Sequence, residues 1–145
     1  RAGLWSAWSP ASDGILVDMT PPSPVTVSDD GVTTTSLTTL HAAWTAARDP
    51  ESGIIKYEYQ ITETLPRVYQ KLRVGWGSVG LATDVTRTDL SLKKSRTYYF
   101  TIRAINGAGL VSWGASNGIR VMADTIPPVV RIAYPTNGTL LGAAN

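Results

Sequence analysis

Glu51, Glu58 and Glu63 are the carboxylates from which a general acid–base pair for glycoside cleavage would be drawn. That chemistry needs two carboxyl groups facing each other across a cleft. A single small β domain rarely provides such a cleft. His41 is the only imidazole, alternation sets it facing solvent, and there is no cysteine, so a catalytic triad is not expected and a thiolate metal site is excluded. Asp18, Asp49, Glu51 and Asp124 lie in turn and joint segments, where oxygen-rich loops can hold Ca²⁺. Their spacing is not that of an EF-hand, and solvated turn carboxylates are the preferred reading. Tyr69, Trp76 and Tyr99 offer aromatic faces for a sugar, against the plainer reading of packing along a sheet edge. Trp5-Ser6-Ala7-Trp8-Ser9 places two indoles three residues apart. Arg103 is the one outward arginine available to stack on Trp113, as a guanidinium over an indole face. Asn137-Gly138-Thr139 fits the N-glycosylation acceptor pattern. No residue is assigned a catalytic, cofactor-binding or metal-binding role, and no cofactor is expected.

Composition narrows the partners. The formal net charge is only +2 and nine of the thirteen basic residues are scattered arginines, which does not make a nucleic-acid arm. No apolar run approaches the roughly 18 residues of a membrane-spanning helix, so no membrane insertion is expected in this segment. At 145 residues one core of ordinary size is affordable and two are not. A sandwich of about 100 residues does not need a disulfide to fold, so the missing cysteines do not argue against secretion.

The elements that carry these residues read as strands. Val25 and Val27 begin the first. Leu40, Ala42 and Trp44 alternate with His41, Ala43 and Thr45, which puts His41 on the solvent side. Tyr57, Tyr59 and Ile61 share a face opposite Lys56, Glu58 and Gln60. Tyr69 to Trp76 reads as a strand on an edge loosened by Gly75, Gly77 and Gly80. Tyr98, Phe100, Ile102 and Ala104 alternate most clearly, and Ile119-Arg120-Val121 closes the series. Asp49-Pro50-Glu51-Ser52-Gly53 and Asn106-Gly107-Ala108-Gly109 are turn signals. About seven strands with turns between them predict an all-β antiparallel sandwich. Residues 1–19 read as a loop followed by a strand at Ile15-Leu16-Val17.

The chain also repeats itself. Ala2-Gly3-Leu4, Ala11-Ser12-Asp13-Gly14-Ile15 and Thr20-Pro21-Pro22 recur as Ala108-Gly109-Leu110, Ala115-Ser116-Asn117-Gly118-Ile119 and Pro127-Pro128. The step is 106 residues at Gly3 and 104 at Gly14, the size of one β-sandwich domain. The Pro-Pro segments, stiff and helix-forbidding, mark boundaries. Residues 1–21 are then the end of one module, 22–123 a complete module, and 124–145 a joint and the start of a third. The lone end strands would leave Trp5, Trp8, Ile15 and Val17 wet together unless another chain or module covers them.

Residues 22–122 resemble a fibronectin type III domain, an immunoglobulin-like β-sandwich. The marks are Leu40-x-Ala42-x-Trp44, Ile54-x-x-Tyr57, and Leu92 six residues before Tyr98-x-Phe100-x-Ile102-x-Ala104. The resemblance implies a core of Trp44, Tyr57, Leu92, Tyr98, Phe100, Ile102 and Ala104. It also implies that Tyr98 is a corner tyrosine with its hydroxyl tied to backbone. One departure is Lys94-Ser95, where the family usually has Pro-Gly. Trp5-Ser6-Ala7-Trp8-Ser9 is similar to the Trp-Ser-x-Trp-Ser box of class I cytokine receptors, yet the cysteine pairs of that family are absent. The phrasing of the turns and joints is similar to modules of very large secreted or surface repeat proteins. The function this implies is that of a structural or adhesive spacer, extracellular or on the cell surface, able to assemble into a fibre, and not an enzyme. Its partners would be neighbouring modules, copies of itself, another surface protein or a glycan. The alternative is a ligand-binding module, receptor-like or carbohydrate-binding.

Overall fold

Alternating apolar residues have to bury one face of each strand, and two sheets packed face to face do this with the shortest connections. A computed structural model describes residues 3, 6–15, 17–63 and 71–123. Among them are nine strands and no helix. In chain order these are β1 (Val27–Asp29), β2 (Thr33–Thr34), β3 (Leu40–Trp44), β4 (Ile54–Thr62), β5 (Leu72–Gly80), β6 (Asp84–Arg87), β7 (Thr97–Asn106), β8 (Val111–Ala115) and β9 (Ile119–Val121). One sheet has the order β1-β3-β6, and the other the order β2-β9-β7-β4-β5, with β8 also paired to β7. All pairings are antiparallel except β2 with β9. This is the immunoglobulin-like β-sandwich that the sequence predicts.

The core lies between the sheets. Val27, Leu40, Ala42 and Trp44 come from the smaller sheet, and Tyr57, Tyr59, Ile61, Tyr98, Phe100, Ile102, Ala104, Ile119 and Val121 from the larger. Leu92 joins them from the loop before β7. Trp44 packs on Tyr57 with ring centroids 5.8 Å apart. The Tyr57 hydroxyl accepts from the Ala47 N–H at 2.8 Å, so a buried phenol keeps a partner. Tyr98 is fully buried, and its hydroxyl accepts from the Lys93 N–H at 2.8 Å.

The turn between Leu92 and Tyr98 explains the unusual Lys94-Ser95. Ser95 has φ 62°, the left-handed conformation that glycine adopts without cost. Its N–H still donates to the Val121 carbonyl at 2.7 Å. The last strand is broken into β8 and β9 at Ser116, whose N–H donates to the Phe100 carbonyl at 2.9 Å and whose hydroxyl accepts from the Phe100 N–H at 3.1 Å. Past the break, Gly118 has φ 94°, and a β-carbon there would stand 2.3 Å from the Tyr99 ring.

Three expectations need correction. Residues 11–15 and 17–20 form no strand, because extended backbone needs a neighbour to accept its hydrogen bonds and none lies beside it among the described residues. Two real strands, β6 and β8, escape the alternation rule because they are short and carry mostly exposed or half-buried residues. The edge strand runs from Leu72 to Gly80, past the expected end at Trp76, and three register shifts mark its pairing with β4. Glu58 and Gln60, on the face opposite Tyr57, Tyr59 and Ile61, are 8% and 7% exposed, and Glu58 is held there by Arg103 of β7 and by Lys56. Tyr69, Trp5, Asp124 and Asn137 lie outside the described residues.

Candidate functional site

Two places on the sandwich bring chemistry-bearing residues together. The first is the outer face of the larger sheet. Register places Arg103 of β7 opposite both Glu58 of β4 and Trp113 of β8. Directly opposed side chains on one sheet face lie about 4.5–5.5 Å apart at their β-carbons, so a long arginine can reach both. Its guanidinium carbon lies 4.3 Å from the centroid of Trp76, which comes from β5, and 5.7 Å from that of Trp113. The two indoles meet edge to face with centroids 5.3 Å apart. Arg103 Nε donates to Glu58 Oε2 at 2.6 Å, and its Nη2 pairs with the same oxygen. Lys56 Nζ lies 2.7 Å from Glu58 Oε1. The Lys56 hydrogen bond is the largest influence on Glu58; with the Arg103 contacts it overcomes partial burial and holds the carboxyl below its usual range.

Just past the end of β4, Glu63 meets three cations. It pairs with Arg73, lies 3.4 Å from Arg96 Nε, and lies 4.0 Å from Lys71 Nζ. Burial works to raise its pKa, but the Arg73 bond and the three positive charges outweigh that and lower it. A glycosidase acid needs a carboxyl held protonated near neutral pH. Glu58 and Glu63 are both pushed the other way, and exposed Glu51 stands on a separate turn. His41 lies on the outward side of β3, half-buried, with Nδ1 2.6 Å from Asp30 Oδ1.

The second place is a knot at one end of the sandwich. Asn106, the last residue of β7, is fully buried. Its Nδ2 faces Asp18 Oδ2 at 2.8 Å, Asp49 Oδ2 at 2.9 Å and the Thr20 carbonyl at 3.1 Å. Its Oδ1 accepts from the Leu110 N–H at 2.7 Å. Asp49 Oδ1 in turn accepts the N–H groups of Glu51, Ser52 and Gly53, and the Ser52 bond is the chief reason its carboxyl sits below the usual range. The Ser52 hydroxyl donates to Asp18. At Gly107 the two turns touch so closely that a β-carbon would stand 2.7 Å from the Ser52 carbonyl. Two carboxylates thus converge on a neutral amide. No cluster of three or more His, Cys, Asp or Glu groups able to hold a metal occurs among the described residues.

The structure therefore brings Trp76, Trp113 and Arg103 together. Trp8 is 99% exposed, on a segment without strand partners among the described residues. Tyr99 lies against Gly118 and has no ring contact with Trp76 among the described residues. Sequence reasoning missed Trp76 as a partner of Arg103 because the bulges in β5 shift its register. It also missed Asn106, which reads as an ordinary turn asparagine.

No protein-family profile and no curated protein matches this sequence. Solved structures do match. A crystal structure of titin domains aligns with 71% of this chain and 33% of its own length, at 22% identity and a TM-score of 0.51. The twitchin kinase region from C. elegans, which includes an Fn domain, aligns with 75% of this chain and 18% of its own, at 16% identity and a TM-score of 0.51. The chain thus spans about a third or less of these structures. These likenesses establish the fold.

Proposed function

The fold is that of a fibronectin type III domain, and from that premise we propose that this chain is a spacer segment of a multi-module extracellular or cell-surface repeat protein. In this reading residues 22–123 are one complete module, 1–21 end the module before it and 124–145 begin the next, and the partners are like modules of the same chain. Such segments hold other parts of the protein apart, and assemble with like chains into a fibre.

One observation carries the reading. The conspicuous aromatic and charged side chains of the larger sheet are committed to one another: Arg103 is held by Trp76, Trp113 and Glu58 at once, and Glu63 by three cations. Groups that satisfy each other stiffen a sheet rather than await a substrate. Small-angle scattering on one, two and three linked copies of the chain tests this. The maximum dimension should grow in proportion to copy number, and collapse to a compact shape would overturn the spacer reading.

The half-exposed indoles, Trp76 at 36% and Trp113 at 42%, favour a second reading as a carbohydrate-binding face. Saturable binding on a glycan array, abolished by Trp76→Ala, would select it.

A further inference from the structure

The segment that leads into the sandwich is fastened to it at Asp18, Thr20, Pro22 and Ser23. Residues 6–15 and 17 are exposed, and Asp18 is the first half-buried side chain. Its Oδ2 accepts from Ser52 Oγ and from Asn106 Nδ2, while its Oδ1 accepts the Thr20 N–H at 2.8 Å. The Thr20 carbonyl faces the same Asn106 amide. Pro22 is buried. Ser23 then donates its N–H to the Arg48 carbonyl, accepts the Arg48 N–H on its hydroxyl, and accepts the Ser112 hydroxyl on its carbonyl. These contacts span sequence separations of up to 89 residues, so they bind the entering chain to three different parts of the sandwich.

We propose that Asp18 is a coupling residue. It locks the Asp18–Pro22 segment into a socket made by Ser52, Asn106 and the Asp49 turn, and turns the junction with the preceding chain into a rigid joint. The socket is specific in its chemistry. Asn106 presents an amide N–H₂, a donor, and Ser52 presents a hydroxyl, so the socket takes a carboxylate and an adjacent main-chain carbonyl. Asp49 cannot serve in place of Asp18, because its Oδ1 already gathers three N–H groups of its own turn. Gly107 is part of the construction, since a side chain there would push the Asn106 turn off Ser52.

The same carboxylate recurs. Asp124, with Pro127-Pro128, stands 106 residues after Asp18 with Pro21-Pro22, which equips the chain to couple to a following module by the same chemistry. That consequence for neighbours rests on the spacer reading. The coupling of residues 17–20 to their own sandwich does not.

Amide ¹⁵N relaxation on the 145-residue chain tests the proposal. Val17 to Thr20 should show steady-state heteronuclear NOE values near those of β4, well above those of residues 6–15. Asp18→Ala should drop residues 17–20 to the level of residues 6–15 while amide protection in β4 and β7 stays within threefold. Ser52→Ala, which removes one of the two donors, should give an intermediate loss. If Asp18→Ala disrupts the fold, Asp18→Asn, which keeps one acceptor oxygen, should fold and show the intermediate loss. The proposal is overturned if residues 17–20 of the unaltered chain move as freely as residues 6–15, or if Asp18→Ala leaves their relaxation unchanged. Collapse of linked copies in scattering, with residues 17–20 still rigid, would sink the spacer reading and leave the coupling standing.

Discussion

Ser95 shows how one residue can sit in the wrong chemistry for its place. A non-glycine residue in the left-handed region costs roughly 1–2 kcal/mol, and glycine gives back about 0.5–1 kcal/mol through the freedom it adds to the unfolded chain. The difference favours glycine. Ser95→Gly should therefore stabilise the protein by about 0.5 kcal/mol, read as a higher urea midpoint at unchanged slope. Its N–H bond to Val121 survives the change. Trp44 is the opposite case. It is 6% exposed and packed on Tyr57, so Trp44→Ala should cost ~3–5 kcal/mol, the usual range for a large buried aromatic. A near-zero loss in denaturant unfolding would contradict the packing.

At the scale of elements, the larger sheet has a firm centre and a loose edge. β4 and β7 pair along almost their whole lengths and supply most of the buried side chains. β5 carries three glycines, three register shifts and an exposed Leu72. Backbone at such an edge opens without unfolding the rest. Amides of β5 should exchange with solvent at least tenfold faster than those of β7, measured by hydrogen–deuterium exchange. Equal rates would mean that the bulged edge is as firmly held as the centre. The Trp76–Arg103–Trp113 stack ties this edge, through Trp76, to β7 and β8. Arg103→Ala should loosen β5 further, and the double-mutant coupling with Trp113→Ala should be about 0.5–1 kcal/mol, as for a half-exposed cation over an indole.

At the scale of the molecule, three carboxyls among the described residues, Asp49, Glu58 and Glu63, are held below their ordinary values. A carboxyl with a lowered folded pKa binds fewer protons when folded than when unfolded. Its contribution is present above the unfolded value, near 4, and is lost as pH falls through the folded one. Stability should be level from neutral pH down to about 5 and then decline steadily. Urea midpoints across that range check this, and the doubly substituted Glu58→Gln, Glu63→Gln chain should show a shallower acid limb from a lower starting point. Residues 22–123 should melt cooperatively when isolated. They should do so at a lower temperature than the longer chain, because Asp18 and Thr20 no longer complete the Asn106 amide.

The sandwich itself was legible in the chain. Period-two alternation at Leu40–Trp44 and Tyr98–Ala104 settles which residues face inward, since a strand has only two faces and one must be dry. The resemblance to a fibronectin type III domain, carried in part by Leu92 six residues before Tyr98, implied the corner turn. The sequence could not show that Glu58 and Gln60 would be covered, that β8 and β9 would be split at Ser116, or that Trp76 would slide next to Arg103. Those depend on bulges and on which strands become neighbours, and a bulge is decided by packing across strands rather than by any local pattern. The knot at Asn106 is the extreme instance. Asp18, Asp49, Ser52 and Asn106 are each ordinary turn residues in sequence. Only the folding of segments as much as 88 residues apart brings two carboxylates and a main-chain carbonyl onto one buried amide.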